Sequence, residues 1–138
     1  MIGGTHDTIQ GQMVAAWFAE KADREQYPPF TALGWLNGQD ISCAALFTDY
    51  QSGGNIELHL IGRLRRNVIR DVLHYAFNTA RAARITAKPY RSNEMARDAL
   101  VRFGFTLEGV LKHYYGWRHS EDAIVYRLDR RNAKKWMI

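Results

Sequence analysis

Cysteine is almost missing from this chain. Cys43 is the only one, so no disulfide can form within the chain and none is needed. A single domain of this length buries roughly 68% of the surface its unfolded chain exposes. The stretch Ile41-Ser-Cys-Ala-Ala-Leu-Phe47 reads as a strand that buries the thiol, and a reducing cytoplasm is its natural setting. Long apolar runs are missing as well. None approaches the roughly 20 residues of a spanning helix, and Met1-Ile-Gly-Gly-Thr-His6 has neither the basic start nor the apolar segment of a signal peptide. The expectation is a cytoplasmic protein without membrane contact. Proline is scarce, with three residues, and there is no repeat, low-complexity tract or linker in the 138 positions. A single domain spanning 1–138 follows.

Acidic residues are outnumbered in one part of the chain only. Before Arg63 there are seven acidic and two basic residues; from Arg63 onward there are 17 basic and seven acidic. The basic part suits an anionic partner. Phosphate of a nucleotide cofactor, nucleic acid and acidic protein all satisfy that sign, as does plain solvation.

Periodicity then supplies the elements. Met13, Val14, Trp17 and Phe18 recur at helical spacing within Gln12 to Glu25, and Pro28-Pro29 is read as ending that helix. Thr31 to Leu36 and Ile41 to Tyr50 read as strands joined through Asn37-Gly38-Gln39-Asp40, a hairpin signal. Asn55 to Ile61 alternates as a third strand, with Ile56, Leu58 and Leu60 on one face and Glu57, His59 and Ile61 on the other. From Asn67 the period lengthens. Ile69, Val72, Leu73, Ala76 and Ala80 share a helical face as far as about Ala83. Arg84 to Tyr90 reads as a strand, and Ser92 as the N-cap of a helix whose face is Ala96, Ala99, Leu100 and Phe103. Gly104 suits its stop. Phe105 to Tyr115 and Ala123 to Asp129 are the last strands. The expected order is α, β, β, β, α, β, α, β, β, a mixed α/β chain.

The central β-α-β needs a crossover and therefore parallel strands. Its helix begins just after Ile61, where free N–H groups and the helix dipole favour an anion. Gly62-Arg-Leu-Arg-Arg-Asn67 occupies that position, with three arginines in four residues. Such a place suits a pyrophosphate held by guanidinium groups; a solvated helix start is the alternative.

Asn93-Glu-Met-Ala96, Phe103-Gly-Phe-Thr-Leu-Glu-Gly109 and Asp122-Ala-Ile-Val-Tyr126, after Tyr75-Ala-Phe77 and Arg84-Ile-Thr86, together resemble the GNAT superfamily of acetyl-CoA-dependent N-acetyltransferases. The short form is similar to compact GNAT proteins often encoded by bacteriophages, which implies a bacterial host cytoplasm or a virion. The resemblance implies a mixed, mostly antiparallel sheet whose parallel middle strands splay apart, with helices on its flanks. It implies acetyl-CoA in that gap, with the backbone near Leu60 and Ile61 bonding the cofactor amides. It places the pyrophosphate on Arg63, Arg65, Arg66, Asn67 and Val68, and a further contact on Asn93. Three positions depart from the family pattern. Arg66 and Val68 stand where its phosphate loop has small residues, and Leu100 stands where many members have the tyrosine that protonates the leaving thiolate.

Acetyl transfer to an amine needs orientation, a base and a polarising donor. Glu57 and His59 share the strand face beside the expected thioester and are the candidate bases. His74, His113 and His119 lack metal-ligand spacing, so no metal is expected. Tyr114, Tyr115, Trp117 and His119 crowd the last turn and can border an acceptor or stack on bases. The basic tail Arg127 to Trp136 reads as a solvated, frayed end or a contact for protein or nucleic acid. Three functions remain open: an acetyltransferase acting on an amine of a protein or small molecule, a nucleic-acid-binding module, and a catalytically silent virion or assembly component on the same scaffold.

Overall fold

The computed structural model describes residues 1–24 and 27–138. Seven strands, β1 (Ile2–Thr5), β2 (Thr31–Asn37), β3 (Asp40–Thr48), β4 (Asn55–Gly62), β5 (Arg84–Ala87), β6 (Thr106–Leu111) and β7 (Ala123–Asp129), form one sheet. Their order across it is β1-β2-β3-β4-β5-β7-β6. All neighbours are antiparallel except β4 and β5, the pair joined by the crossover. This is the mixed, mostly antiparallel sheet expected from the sequence. The hairpin between β2 and β3 closes through Gly38 at φ +68°, a conformation that glycine adopts without steric cost.

Several boundaries differ from the expectation, each for a local reason. β1 was not foreseen, because Ile2-Gly-Gly-Thr5 has no alternation of its own; it forms by pairing Ile2 with Gly34 on the free edge of β2. The first helix, α1, is Ile9–Ala22 rather than Gln12 to Glu25. Thr8 caps it by accepting from the Gly11 N–H at 3.1 Å. It stops at Asp23, left-handed at φ 51°, well before the prolines, while Glu25 lies outside the described residues. Its inward face is Gly11, Val14 and Phe18, whereas Met13 is exposed. The crossover helix α2 (Arg66–His74) widens into a π-helical turn over Tyr75–Thr79 and ends there; Arg81 takes a left-handed φ of 57° just beyond. The N-cap of α3 (Glu94–Arg102) is Asn93, not Ser92: its side chain accepts from the Ala96 N–H at 3.2 Å.

Two apolar layers sandwich the sheet. Val14, Phe18, Phe30, Ala32, Ala44 and Leu46 fill the space under α1. On the opposite face, Trp35, Phe47 and Ile56 meet Val72 and Phe77 of the crossover and Ile85 and Leu128 of the farther strands. Burial of such a side chain stabilises by about 1.5–3 kcal/mol. Cys43 is fully buried, which pushes its thiol up to about 11 and leaves it inert.

The tail is docked rather than frayed. After β7 the chain forms a short helix, α4 (Arg130–Ala133), and a 3-10 turn over Lys134–Trp136. Ala133 is fully buried, Arg130 donates to the Phe77 carbonyl at 2.9 Å and to Asn78 Oδ1 at 2.7 Å, and His74 Nε2 donates to the Met137 carbonyl at 2.7 Å. Among the described residues no helix is long and apolar enough to cross a membrane.

Candidate active site

The sheet forks between its two parallel strands. β5 is short because Pro89 follows it and cannot donate to a ladder. Only Asn55, Ile56 and Glu57 of β4 pair with Arg84, Ile85 and Thr86 of β5. From Leu58 to Gly62, β4 keeps its β3 partner but has no strand on the other side. Leu60 and Ile61 therefore lie on the open arm of the fork, their side chains packed into opposite core layers.

At the open end stands the start of α2. Arg65 is its N-cap residue and makes no side-chain cap bond, and the first turn holds no acidic residue. Its leading N–H groups are thus not met by a capping side chain. Arg63, Arg65, Arg66 and Asn67 are exposed there, while Val68 points inward and is buried. The Arg66 guanidinium lies 5.5 Å from the centroid of the Trp136 ring. Arg63 uses its backbone N–H on the Ser42 carbonyl at 3.0 Å, which ties the loop to β3. Asn93 stands apart from this group, at the start of α3, with its oxygen engaged in capping. Leu100, on the same helix, is half-buried against the core and offers no proton donor.

At the closed end of the fork a polar cluster fills the space. Glu57, 5% exposed, is held by two cations or donors: Lys88 Nζ lies 2.8 Å from Oε1, and His59 Nε2 lies 3.1 Å from Oε2. Burial raises the Glu57 carboxyl, but hydrogen bonds from His59 and Lys88, with the Lys88 charge, outweigh it and hold the group below the ordinary carboxylate range. For Lys88 burial works downward, and Glu57 and Tyr114 more than compensate, so its ammonium is held above the usual lysine value. The His59 tautomer follows from its partners. Arg24 Nη2 can only donate, so Nδ1 at 3.3 Å accepts and the neutral ring carries its hydrogen on Nε2, shared between Glu57 and Thr48 Oγ1 at 2.8 Å. The lone pair of His59 is thereby occupied.

Tyrosines close the cluster from the β6–β7 connection. Lys88 Nζ lies 5.2 Å from the Tyr114 ring centroid, and Tyr115 stacks on Tyr90 at 4.0 Å and donates its hydroxyl hydrogen to the Lys88 carbonyl. Asp122 anchors that connection by accepting from the His113 N–H at 2.9 Å and from Arg91 at 3.3 Å. These two bonds hold its carboxyl below the usual range against the effect of burial. A cavity of about 1010 Å³ opens over Glu57 and His59, walled by Arg24, Tyr27, Tyr50 and Tyr115 among others. None of the residues at the α2 end of the fork lines it. The fork has two compartments, a basic one at the helix start and an aromatic one at its base.

Sequence reading paired Glu57 with His59 but missed Lys88, Arg24 and Thr48. Arg84, Thr86 and Lys88 alternate onto one face, a pattern that was there to be read. Nothing local brings Arg24 to His59, 35 residues away.

No protein-family model and no curated protein matches this sequence. Solved structures do. PseH, an N-acetyltransferase of Campylobacter jejuni solved with acetyl coenzyme A, superposes with a TM-score of 0.65 over 94% of this chain and 99% of its own, at 14% identity. The chain has the GNAT acetyltransferase fold. Mutant forms of the spermidine/spermine N-acetyltransferase SpeG from Vibrio cholerae, also similar, match 86% of this chain and 76% of theirs, at a TM-score of 0.67 and 14% identity. A further structure assigned as an acetyltransferase has a TM-score of 0.70 and 20% identity over 80% of this chain, which spans 62% of that protein's length. In this GNAT-fold chain the fork, the uncapped helix start and the aromatic cavity lie on consecutive stretches of one sheet.

Proposed function

We propose that this protein is an acetyl-CoA-dependent N-acetyltransferase that moves acetyl to an amine by direct attack in a ternary complex. The observation that carries the proposal is the fork itself: on its β5 side β4 lacks a strand partner beyond Glu57, and the opening leads to an uncapped, arginine-rich helix start. An extended pantetheine arm suits a strand edge with free backbone groups, and a pyrophosphate suits a helix N-terminus. In this reading the backbone near Leu60 and Ile61 bonds the cofactor amides. Arg63, Arg65, Arg66, Asn67 and the Val68 backbone hold the phosphates, and Asn93 makes a further contact through its side-chain N–H groups.

Bound acetyl-CoA supplies the thioester that the amine attacks. The protein's task is then to orient the amine and receive its proton. Glu57 is the group for both, since a carboxylate has acceptor sites left after Lys88 and His59 are served. His59 acts through Glu57, because its own lone pair accepts from Arg24. Leu100 cannot protonate the departing sulfur and Tyr115 has committed its hydrogen. Water or solvent acid serves instead, at small cost for a thiol whose ordinary pKa is about 8.5.

Calorimetric titration with acetyl-CoA tests the proposal. Saturable binding with one molecule per chain is expected, and absence of binding at millimolar ligand would overturn it.

A further inference from the structure

Arg24, Glu57 and His59 line the aromatic cavity together, with Lys88 bonded to Glu57 and the Asp49 carboxylate elsewhere in the lining. Lys88 and His59 both engage Glu57, while Arg24 meets the His59 ring and Tyr115, bonding toward its hydroxyl with the ring centroid 5.2 Å from the guanidinium carbon. Among the described residues no carboxylate lies within ion-pairing distance of Arg24. A guanidinium presents five donors in a planar fork, and bonds to one imidazole and one phenol leave the others for a ligand. Its place is set from below, since its own N–H donates to the Ala19 carbonyl at 3.2 Å as α1 ends.

Position now matters as much as charge. Arg24 and Glu57 contact opposite nitrogens of one imidazole, so they stand a ring's width and two hydrogen bonds apart. An amine and a carboxylate carried on the same carbon, each making one hydrogen bond outward, span a similar gap. The cavity above has room for more than a small zwitterion, and its walls include Tyr27, Phe30, Phe47, Tyr50 and Tyr75. Such walls favour an aromatic or apolar body.

We infer that the acceptor is an α-amino acid with an aromatic or apolar side chain, its carboxylate bound by Arg24 and its amine presented to Glu57. This rests on the acetyltransferase reading for the chemistry, though not for the binding. The Arg24 guanidinium supports it, since an acceptor with a neutral, reactive amine and an ionised carboxylate gives that cation a partner while presenting the amine to Glu57. A simple alkylamine or a diamine leaves the guanidinium without an anion.

Three probes share one body and differ in the acid group: L-phenylalanine, L-phenylalaninamide and phenethylamine. Direct binding to the full chain is measured by calorimetry without acetyl-CoA, and acetyl transfer is measured separately. L-phenylalanine is expected to bind at least about tenfold more tightly than either neutralised probe, the scale of one charge-assisted contact. Arg24→Met should bring the three to within about twofold, and Arg24→Lys should keep part of the preference while losing the bidentate geometry. Equal or tighter binding of phenethylamine, no binding of L-phenylalanine at about 10 mM, or an undiminished preference in Arg24→Met would overturn the inference. The two readings fail separately. Arg24-dependent binding of L-phenylalanine by a protein that does not bind acetyl-CoA sinks the acetyltransferase and keeps the amino-acid site; equal acetylation of L-phenylalanine and phenethylamine does the reverse.

Discussion

Lys88, two residues beyond the last β5 residue paired with β4, places its Nζ 2.8 Å from Oε1 of Glu57, the last β4 residue so paired. The bridge therefore crosses the fork at its base, joining the two strands at the point where their backbones part. Glu57 is almost fully buried and its partner 22% exposed, so solvent does little to replace the contact once it is lost.

Replacing Lys88 with Met should destabilise the protein by roughly 1.5–3 kcal/mol at neutral pH, the scale of a hydrogen bond to a charged group. The pH dependence has a definite sign. A carboxyl held below its unfolded value of about 4.3 contributes stability above that pH and gives it up as the pH falls through the folded value. In Lys88→Met, burial is opposed by His59 alone, so the loss on acidification should begin at a higher pH. Acid-unfolding curves of the two proteins check this; superimposable curves would show that the bridge has no influence on Glu57.

Glu57→Gln keeps the shape of the side chain and removes its capacity to receive a proton. Acetyl transfer should fall by about 10² to 10⁴, the usual contribution of a general base, with acetyl-CoA affinity little changed. Tyr114→Phe and Tyr115→Phe should each cost less than about tenfold, since Tyr115 donates to a backbone carbonyl and Tyr114 offers its ring face to Lys88. Full activity in Glu57→Gln would remove it from the chemistry, and loss of activity in a tyrosine variant would reveal a relocated acid.

Arg65 and Arg66 should be needed for the cofactor rather than for folding. Both are exposed at the uncapped start of α2. Their joint replacement by Ala is expected to weaken acetyl-CoA binding by roughly 2 kcal/mol or more, with thermal unfolding nearly unchanged apart from the lost Trp136 contact. If this surface instead serves nucleic acid, gel shifts at two salt concentrations will show steep salt dependence in the wild type that the double variant blunts.

Gly62 adopts φ +108°, and a Cβ there would lie 2.4 Å from the Ser42 carbonyl oxygen and 2.7 Å from Cys43 Cα. Both obstacles are backbone of β3 and cannot swing aside. Gly62→Ala should cost more than about 1 kcal/mol in urea unfolding and should weaken acetyl-CoA binding by displacing the loop that follows. Gly38→Ala, with a positive φ but open space around it, provides the comparison.

The sequence alone determined the features that depend on near neighbours. Alternation set Ile56 and Leu58 against Glu57 and His59, periodicity set Val72 and Ala76 inward, Asn-Gly marked the hairpin, and one crossover helix required one parallel pair. Elements whose ends depend on a distant partner were not legible: β1 exists because β2 has a free edge, and the charged tail is ordered because Phe77 and His74 offer it carbonyl and imidazole partners. The same divide runs through the site. Glu57 and His59 are two residues apart on one strand, and spacing was enough to pair them. Lys88 comes to Glu57 only through the parallel register of β4 and β5, and Arg24 to His59 only because α1 ends over that face. Charge and hydrogen bonding act through space at a few ångströms, while sequence patterns act along the chain, so the polar network at the fork was decided by the tertiary structure.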